Sequence, residues 1–461
     1  MTGDGAVHDV AVIGAGVVGC AIARRLARYR VSCVVVDRAG DVGDGTSKAN
    51  TAVLHTGFDT EPGSLESSLV RRGHDLLASH AAAAGIALER TGALLVAWDD
   101  AQAAELPVIA DKARRNGYDA VVAVDGTELR RREPHLGPGA VAALSVPDEW
   151  VICPWSTTLA FALEAVGAGV ELRLGTEITG VTAGAAHWTL HARTGDVRAR
   201  WVVNAAGLSS GTVDGWFGHH DFTVAPRRGQ LIVFDKLARP LVSSIILPVP
   251  TARTKGVLVA PTVYGNLLLR PTAEDVSDGA ATETTGEGIA ALMAAGRRIV
   301  PALAHEEVTA LYAGVRAATE HRDFRIRVHD DQRYACVGGI RSTGLTASMA
   351  IAEHVVGALG DAGLALLERD EEPAVPRLPA LGESGLRAYQ RADLAARDPA
   401  YAHIVCFCER VTEGEVRDAL QGAVPARDLG GIRRRTRATN GRCQAFACGA
   451  TVAAMLARAG A

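Results

Sequence analysis

The feature that most constrains the fold is a glycine loop between a strand pattern and a helix pattern near the start of the chain. Asp9-Val-Ala-Val-Ile13 predicts a buried strand, Gly14-Ala-Gly16-Val-Val-Gly19 a turn, and Cys20–Tyr29 a helix. Val31-Ser-Cys-Val-Val-Val36 predicts a second strand, which ends at Asp37. This order of strand, glycine turn, helix, strand and acid is typical of the βαβ unit of Rossmann-like folds.

The three glycines and the acid have separate roles in such a unit. Gly14 allows the tight turn, Gly16 lets the backbone approach a pyrophosphate, and Gly19 lets the helix pack closely on the strand. The N-terminus of the helix then faces the phosphates with the positive end of its dipole. Asp37 lies at the spacing expected of an acid that accepts hydrogen bonds from a ribose diol. The start of the chain therefore predicts a dinucleotide-binding site.

Bulk composition limits the class of protein. A chain of 461 residues and 48.0 kDa is long enough for two or three domains with full cores. The net charge of −4 and the pI of about 6.4 point neither to nucleic acid nor to an anionic membrane surface. No apolar run approaches the length of a transmembrane segment. We expect a cytoplasmic protein, with a peripheral position on the inner face of the membrane as an alternative.

Further along, the sequence alternates helix patterns with β-rich blocks. The predicted elements are a helix at Ser64–Ala84, a β-meander over 181–200, a strand at Trp201–Gly207, a β-rich block at 226–271, a helix at Glu287–Val300, a strand at Tyr334–Ile340 and a helix at Leu345–Leu359. Residues 370–379 are acidic and rich in proline, as linkers are. The compact tail begins near Tyr401. In it, Thr412-x-x-Glu415 predicts a capping box that opens a helix, and Cys443–Arg458 a second helix.

Four of the eight cysteines are clustered in this tail. They form the pairs Cys406-Phe-Cys408 and Cys443-Gln-Ala-Phe-Ala-Cys448. The spacing favours a [2Fe–2S] cluster, because structural zinc sites more often use C-x2-C pairs. Zinc, unligated thiols and a regulatory disulfide are the alternatives. Cys20, Cys33 and Cys336 lie in apolar patterns and are expected to be core residues.

Three segments of the chain together resemble the FAD-dependent oxidoreductases of the D-amino-acid-oxidase superfamily. They are the loop Gly14–Gly19, the stretch Asn204-Ala-Ala-Gly207, and Gly339-Ile-Arg341-Ser-Thr-Gly344-Leu-Thr346-Ala-Ser348. The stretch Asn50–Gly63, with His55, is similar to the L-2-hydroxyglutarate and FAD-dependent glycerol-3-phosphate dehydrogenases. Asn266-Leu-Leu-Leu-Arg-Pro271 is also like that branch, although those families usually carry glycine where this chain has Arg270.

The tail resembles a second family. Cys406-x-Cys408-Glu-x-Val-Thr and Arg437-Ala-Thr-Asn-Gly441-Arg-Cys443-Gln are similar to the [2Fe–2S] domain of bacterioferritin-associated ferredoxin. A similar tail ends the large subunit of anaerobic glycerol-3-phosphate dehydrogenase. The resemblance implies that Cys406, Cys408, Cys443 and Cys448 ligate a [2Fe–2S] cluster.

The two resemblances imply an α/β and α+β architecture with discontinuous domains. We expect a Rossmann-like FAD-binding domain at 1–90, 146–225 and 330–365. A β-sheet substrate domain is expected at 91–145 and 226–329, followed by a linker at 366–400 and a small helical [2Fe–2S] domain at 401–461. The implied FAD-binding residues are Gly14, Gly16, Gly19, Asp37, Thr46, Ser47, Asn50, Gly207, Gly344, Leu345 and Thr346.

The candidate catalytic residues are His55 and Arg341, and the candidate substrate-binding residues are Arg270 and Arg316. An imidazole titrates near neutrality and can accept the proton of a substrate hydroxyl or amine. Guanidinium groups bind carboxylate or phosphate in a bidentate manner. The alternatives are a hydrogen-bonded loop histidine or a covalent flavin link at His55, and surface salt bridges for the arginines. For the basic run Arg433–Arg437 the alternatives are charge balance near the cluster, docking of a partner, or a solvated face.

Three functions remain in competition. The first is an FAD and [2Fe–2S] dehydrogenase that oxidises a small hydroxy acid or polyol phosphate and passes electrons to a quinone, a carrier protein or a partner subunit. The second is an amino-acid or opine dehydrogenase subunit of the same superfamily. The third is a non-catalytic electron-transfer or scaffold subunit with a structural zinc. The sequence favours the first because of His55 and its surroundings.

Overall fold

The protein, as a computed structural model, is described over residues 6–250 and 256–460. The other residues fall at the ends of the first and last predicted domains and inside the predicted segment 226–329, so those parts of the prediction lie outside the described residues. The helices are α1 Val17–Leu26, α2 Leu65–Ala84, α3 Asp100–Arg115, α4 Gly126–Arg132, α5 Pro154–Gly167, α6 Ser210–Trp216, α7 Gly286–Ile299, α8 Gly344–Asp361, α9 Ala392–Arg397, α10 Glu413–Gln421, α11 Leu429–Thr436 and α12 Gly449–Arg458.

The strands alternate with these helices along the chain. They are β1 Val7–Ile13, β2 Cys33–Asp37, β3 Val53–Leu54, β4 Leu88–Glu89, β5 Ala93–Ala97, β6 Val122–Asp125, β7 Ala142–Val146, β8 Trp150–Ile152, β9 Glu171–Leu174, β10 Ile178–Ala183, β11 Trp188–Ala192, β12 Val197–Asn204, β13 Val224–Phe234, β14 Ile245–Pro248, β15 Leu258–Pro261, β16 Leu267–Arg270, β17 Glu274–Asp275, β18 Val308–Thr319, β19 Arg325–His329, β20 Tyr334–Gly338, β21 Ile404–Cys406 and β22 Val411–Thr412.

The first sheet has a parallel core in the order β9-β2-β1-β12-β20. The register pairs Ile13 with both Val36 and Asn204, so these strands end at one common edge. Strands β10 and β11 form the predicted meander with the start of β12. Helices α1 and α8 pack against each other on this sheet, and their apolar faces share one core with Val10, Val12 and Val35. The central parallel strands are buried on both faces, which explains why their sequences contain continuous runs of hydrophobic residues.

The second sheet follows the order β17-β13-β16-β15-β14-β5-β7-β6, with β18 on the other side of β13. Its outer face packs on α7, where Leu292 and Ile299 meet Leu267 and Leu269. Its inner face is directed toward the first sheet. A further small sheet has the order β3-β8-β4 and carries the residues that lead into the predicted His55 stretch.

The tail forms its own small core from the β21–β22 ribbon and helices α10 to α12. Thr412 and Glu415 make the predicted capping box at the start of α10. Residues 366–400, predicted as a linker, contain α9 and lie against the rest of the chain. For example, the Leu378 amide donates a hydrogen bond of 2.8 Å to the carbonyl of Ala84.

The contact between α1 and the ends of the strands depends on glycine. A Cβ at Gly19 would lie 1.9 Å from the carbonyl oxygen of Gly14, and a Cβ at Gly14 would lie 2.4 Å from the carbonyl oxygen of Ala205. Both clashes are with backbone atoms, which cannot move aside. Gly14 also has a φ of +111°, a conformation that other residues rarely adopt.

We therefore expect Gly19→Ala to destabilise the protein by about 1–3 kcal/mol and to lower its FAD content, because the added methyl overpacks a backbone contact. The matched control is Gly357→Ala, inside α8, where an added Cβ meets nothing within 4 Å. The control should be neutral or stabilising by up to about 1 kcal/mol. Thermal unfolding of both variants beside the wild type measures the difference, and equal unfolding temperatures for Gly19→Ala and wild type would contradict the argument.

Candidate functional site

A cavity of about 1560 Å³ lies between the common edge of the first sheet and the inner face of the second sheet. Loops that follow β1, β2, β12 and β20 line one side, and leucines of the second sheet line the other. Such crevices at the carboxyl ends of parallel strands are where open α/β sheets bind their ligands. The volume is large enough for a dinucleotide and a small substrate together.

The predicted nucleotide end of the cavity has the expected geometry. Gly14 and Gly16 line it, and α1 begins directly after Gly16 with no acidic residue in its first turn. The Asp37 carboxylate accepts hydrogen bonds from the amides of Ala15 at 2.6 Å and Ala39 at 2.8 Å. Burial raises the pKa of Asp37 above its ordinary value. A bare helix N-terminus beside an oriented acid fits the pyrophosphate and ribose of FAD.

The predicted loop at Thr46, Ser47 and Asn50 connects the two sheets. The Thr46 hydroxyl donates to the carbonyl of Val315 in β18 at 2.8 Å, and the Ser47 hydroxyl accepts from the amide of Val17 at 3.0 Å. The Asn50 amide donates to the carbonyl of Ser47 at 2.7 Å. All three residues line the cavity, so the loop forms its wall beside the start of α1.

The other predicted flavin contacts also line the cavity. Gly207 lies in a turn with a φ of +56°, and Gly344, Leu345 and Thr346 form the first turn of α8. The N-terminus of this 18-residue helix faces the cavity. Its dipole favours negative charge there, which suits a reduced flavin.

His55 is held in place from two sides. Its backbone amide donates to the Thr346 hydroxyl at 3.0 Å, and its ring Nδ1 lies 3.0 Å from a carboxylate oxygen of Glu149. Glu149 is fully buried and also accepts from the amide of Thr56 at 2.7 Å and from its hydroxyl at 2.9 Å. If the Glu149 carboxylate accepts all three bonds, Nδ1 of His55 is the donor, and Nε2 of the neutral ring is then a hydrogen-bond acceptor.

Glu149 is the main site residue that the sequence did not reveal. It lies between Asp148 and Trp150 in a segment without a motif, 94 positions from His55. Only the pairing of β3 with β8, which sets Leu54 opposite Trp150, brings the two side chains together. A buried acid next to a strand was the one available signal, and it is too common to be specific.

The three predicted arginines occupy different environments. Arg341 lies at the edge of the cavity, partly exposed, with a distant ion pair of 3.7 Å to Glu66. Arg316 lines the cavity and donates to the carbonyl of Thr272 at 3.3 Å, and burial lowers its pKa. Arg270 is fully buried at the end of β16. Arg270 and Arg316 form no salt bridge with the described residues, whereas the partly exposed ion pair of Arg341 leaves the alternative open for that residue. The roles of all three arginines toward a substrate stay predictions.

The four tail cysteines come together in the folded protein. Cys408 lies against Cys443, and Cys406 lies against Cys448. Over residues 6–250 and 256–460, no group of three or more His, Cys, Asp or Glu side chains is arranged to hold one metal ion. Two pairs of thiols suit a two-iron cluster, in which each iron takes two thiolates. All eight cysteines are free thiols, so the disulfide alternative is not realised in this structure.

The segment between the last two ligands corrects one prediction. The helix expected from Cys443 begins only at Gly449, because Gln444 and Ala445 have positive φ values of 48° and 71° and turn the chain around the Cys443 sulfur. Backbone hydrogen bonds from Ala447, and then from Ala445 and Phe446, lower the pKa of Cys443. Amides directed at a sulfur stabilise the thiolate that a cluster requires. Gly441 packs against the ligand Cys408, and a larger residue would not fit there, since a Cβ at position 441 would lie 2.2 Å from the Cβ of Cys408.

Buried ion pairs connect the tail to the loop of the nucleotide site. Asp41, at 1 % exposure, accepts hydrogen bonds from Arg434 at 2.6 Å and from Arg435 at 2.7 Å. Arg434 also pairs with Asp44 at 2.7 Å. Burial alone would raise the pKa of Asp41, but the two guanidinium groups lower it below its ordinary value. The predicted alternative of a solvated basic face is therefore wrong for these arginines.

A third buried arginine joins the tail to the second sheet. Arg437 forms an ion pair of 2.8 Å with Glu409, which directly follows Cys408, and also bonds Asn266 at 3.2 Å. Its guanidinium lies 4.1 Å from the ring centre of Tyr264. Tyr264 in turn stacks on Trp155, whose indole donates to the carbonyl of Lys48 at 3.0 Å. The ligand loop is thus in continuous contact with the wall of the cofactor cavity.

Comparison with known families matches two parts of the chain. Residues 9–358 match the family described as FAD dependent oxidoreductase. Residues 404–458 match the BFD-like [2Fe-2S] binding domain. The described helices include none that is long and apolar enough to cross a membrane.

Individual proteins are similar to most or nearly all of the chain. Over 457 residues, 98 % of this chain and 94 % of the relative, the chain is 33 % identical to a glycerol 3-phosphate dehydrogenase of Caloramator mitchellensis. It is 27 % identical to one of the subunits of the anaerobic glycerol-3-phosphate dehydrogenase of Escherichia coli, over 99 % of this chain and 89 % of that protein. The solved structure of L-alpha-glycerophosphate oxidase from Mycoplasma pneumoniae, with FAD bound, superimposes with a TM-score of 0.77. The two sequences are 28 % identical, and the superposition covers 82 % of this chain and 100 % of the oxidase.

The ion pairs of Asp41 lead to a stability prediction. Asp41→Leu leaves Arg434 and Arg435 as buried cations without their carboxylate, and we expect a loss of about 3–5 kcal/mol. Because the pKa of Asp41 is lowered in the folded state, its contribution is present above the unfolded value of about 3.9 and is lost as pH falls through the lower folded value. Thermal unfolding and limited proteolysis of residues 366–400 measure the effect.

The matched control for this variant is Glu128→Leu, which breaks the solvent-exposed pairs with Arg131 and Arg132. Exposed pairs contribute little because water screens them, so this control should unfold like the wild type. If the two variants lose equal stability, the buried ion pairs do not hold the tail in place.

Proposed function

The chain belongs to the family of FAD dependent oxidoreductases and ends in a [2Fe–2S] binding domain, and on this premise we propose that it is a dehydrogenase acting on glycerol 3-phosphate or a similar polyol phosphate. The observation that carries the proposal is the pair of His55 and Glu149 beside the N-terminus of α8. Support for the substrate comes from the relative of 33 % identity, whose name is glycerol 3-phosphate dehydrogenase.

FAD, when bound, supplies a two-electron acceptor that takes a hydride from a carbon atom carrying a hydroxyl group. The residues proposed to hold it are those of the glycine loop, Asp37, the loop at Thr46 to Asn50, and the first turn of α8. In the same proposal Nε2 of His55 accepts the hydroxyl proton, and Glu149 stabilises the imidazolium that forms. Arg316 and Arg341 orient the anionic end of the substrate by charge-assisted hydrogen bonds.

The [2Fe–2S] cluster, when bound, supplies a one-electron carrier on the surface of the tail. We propose that it serves an electron acceptor, which is a quinone, a carrier protein or a partner subunit. Phe407 and Phe446 lie between the paired ligands and are 72 % and 96 % exposed. Exposed aromatic side chains are typical of surfaces that contact partners, so we place the approach of the acceptor at this face.

The decisive experiment is anaerobic reduction of the protein loaded with both cofactors. We expect glycerol 3-phosphate to bleach the flavin absorbance, and glycerol to do so far less well because it lacks the anionic group. If L-2-hydroxyglutarate bleaches the flavin and glycerol 3-phosphate does not, the substrate is a hydroxy acid and not a polyol phosphate. Bleaching by amino acids, with formation of ammonia or a keto acid, would favour the amine dehydrogenase and overturn the proposal.

Substitutions at the His55–Glu149 pair test the proposed proton transfer. His55→Asn should slow flavin reduction by about 10²- to 10⁴-fold, the usual contribution of a general base. Glu149→Gln keeps an acceptor for the ring but removes the charge, so we expect a smaller loss in the maximal rate with little change in KM. His354→Asn, on the exposed side of α8, is the control. A His55→Asn enzyme with the wild-type rate would rule out His55 as the base.

A further inference from the structure

Arg270 is a cation that the described part of the chain buries without a counter-ion. It is 0 % exposed, and its Nε, Nη1 and Nη2 atoms have no hydrogen-bond partner there. A guanidinium remains protonated in proteins, and an unpaired buried charge is strongly destabilising. Burial lowers the pKa of Arg270 to about 9, which still leaves the group charged at neutral pH. The residue therefore needs an anion that the described part of the chain does not provide.

The register of the second sheet sets the direction of this side chain. Arg270 lies directly opposite Leu258 on β15, and opposite residues of an antiparallel pair share one face. Leu258 lines the cavity, as does Leu231 on the neighbouring strand. The residues on the other face, Leu267 and Leu269, pack on α7. Arg270 is therefore on the side of the sheet that faces the cavity.

A second cation without a carboxylate lies on the same face. Among the described residues, Arg316 donates only to the carbonyl of Thr272. The charge of Arg316 is near enough to lower the pKa of Arg270. The protein does balance the neighbouring cations: Arg227 pairs with Asp275, and Arg228 pairs with Glu274 and Glu283. Among these four arginines of the second sheet, Arg270 and Arg316 have no carboxylate partner in the described part of the chain, and of these two Arg316 lines the cavity.

Two adjacent uncompensated cations define the charge of the ligand they suit. A single carboxylate carries one negative charge and would leave the other guanidinium unbalanced. A phosphate monoester carries about −1.5 to −2 charges at pH 7 and three strong acceptor oxygens, which match two guanidinium groups. The cofactor pyrophosphate is an unsuitable partner, because its predicted position is at Gly14 to Gly19 on the opposite sheet.

We propose that Arg270 and Arg316 form a dianion site that selects substrates with a phosphate monoester group. The inference rests on the proposed function, since it names the part of the substrate that this cavity recognises. Arg270 is then a specificity-determining residue: it acts on binding of the anionic end and not on the proton transfer at His55. Without a ligand, the protein carries two repelling cations there, and ligand binding relieves this repulsion.

The test uses the FAD-loaded protein with inorganic phosphate and sulfate as probes. We expect phosphate and sulfate, which carry their negative charge on one tetrahedral group, to raise the unfolding temperature and to perturb the flavin absorbance. Acetate has a single charge and succinate has its two charges on separate carboxylates, so both should do so weakly. In Arg270→Met the phosphate affinity should fall about 10- to 100-fold, as expected for a lost hydrogen-bonded charge. The same variant should unfold at a higher temperature than wild type without phosphate, since an unpaired buried charge is gone. Arg270→Lys should recover part of the affinity.

With glycerol 3-phosphate as substrate, Arg270→Met should raise KM by a similar factor and change the maximal rate of flavin reduction little. The control is Arg131→Met, which removes one exposed cation far from the cavity and should bind phosphate like the wild type. Unchanged phosphate affinity in Arg270→Met, tighter binding of succinate than of phosphate, or loss of FAD in place of phosphate would each overturn the proposal. If the variant fails to fold, the anion series on the wild type still decides between phosphate and carboxylate.

The two proposals fail separately. If phosphate binding depends on Arg270 but glycerol 3-phosphate does not reduce the flavin, the dianion site stands and the substrate is another phosphate monoester. If glycerol 3-phosphate reduces the flavin of Arg270→Met with the wild-type KM, the dehydrogenase stands and the dianion site is wrong.

Discussion

The backbone contact between Gly14, Gly19 and Ala205 is the constraint on which the site depends. It brings the end of β1, the start of α1 and the end of β12 within atomic contact, at distances that leave no space for a side chain. The N-terminus of α1 and the Asp37 carboxylate then lie on one edge of the sheet. The later strand β20 joins the same edge through β12, which directs α8 toward the same cavity.

Buried charge is treated in two ways in this molecule. Where the tail meets the body, each buried cation has a carboxylate: Asp41 pairs with Arg434 and Arg435, and Glu409 pairs with Arg437. Such pairs add little net stability but allow only one arrangement, since a displaced tail would leave charges unpaired. Arg270 and Arg316 have no carboxylate partner among the described residues, and the same physics there favours binding of an anion from solution.

The residues that carry motifs were predictable, and those that support them were not. The glycine loop, the first turn of α8, the capping box at Thr412 and the cysteine quartet are local patterns, so short stretches of sequence reveal them. Glu149 and Tyr264 have no local signal, because their partners lie on other strands or in the tail. The helix predicted from Cys443 was wrong because the ligand loop turns the chain through positive φ values, which apolar periodicity does not report.

The sequence by itself determined the two cofactor families, since glycine spacing and cysteine spacing follow from short-range geometry. It also identified His55 and the arginines as candidates. The tertiary structure alone decided which of these groups have partners: Glu149 contacts the His55 ring, Asp41 pairs with Arg434 and Arg435 of the basic run, and Arg270 is left without a carboxylate. The physical reason is that charge and burial depend on contacts between distant segments, and a sequence pattern contains only the neighbours along the chain.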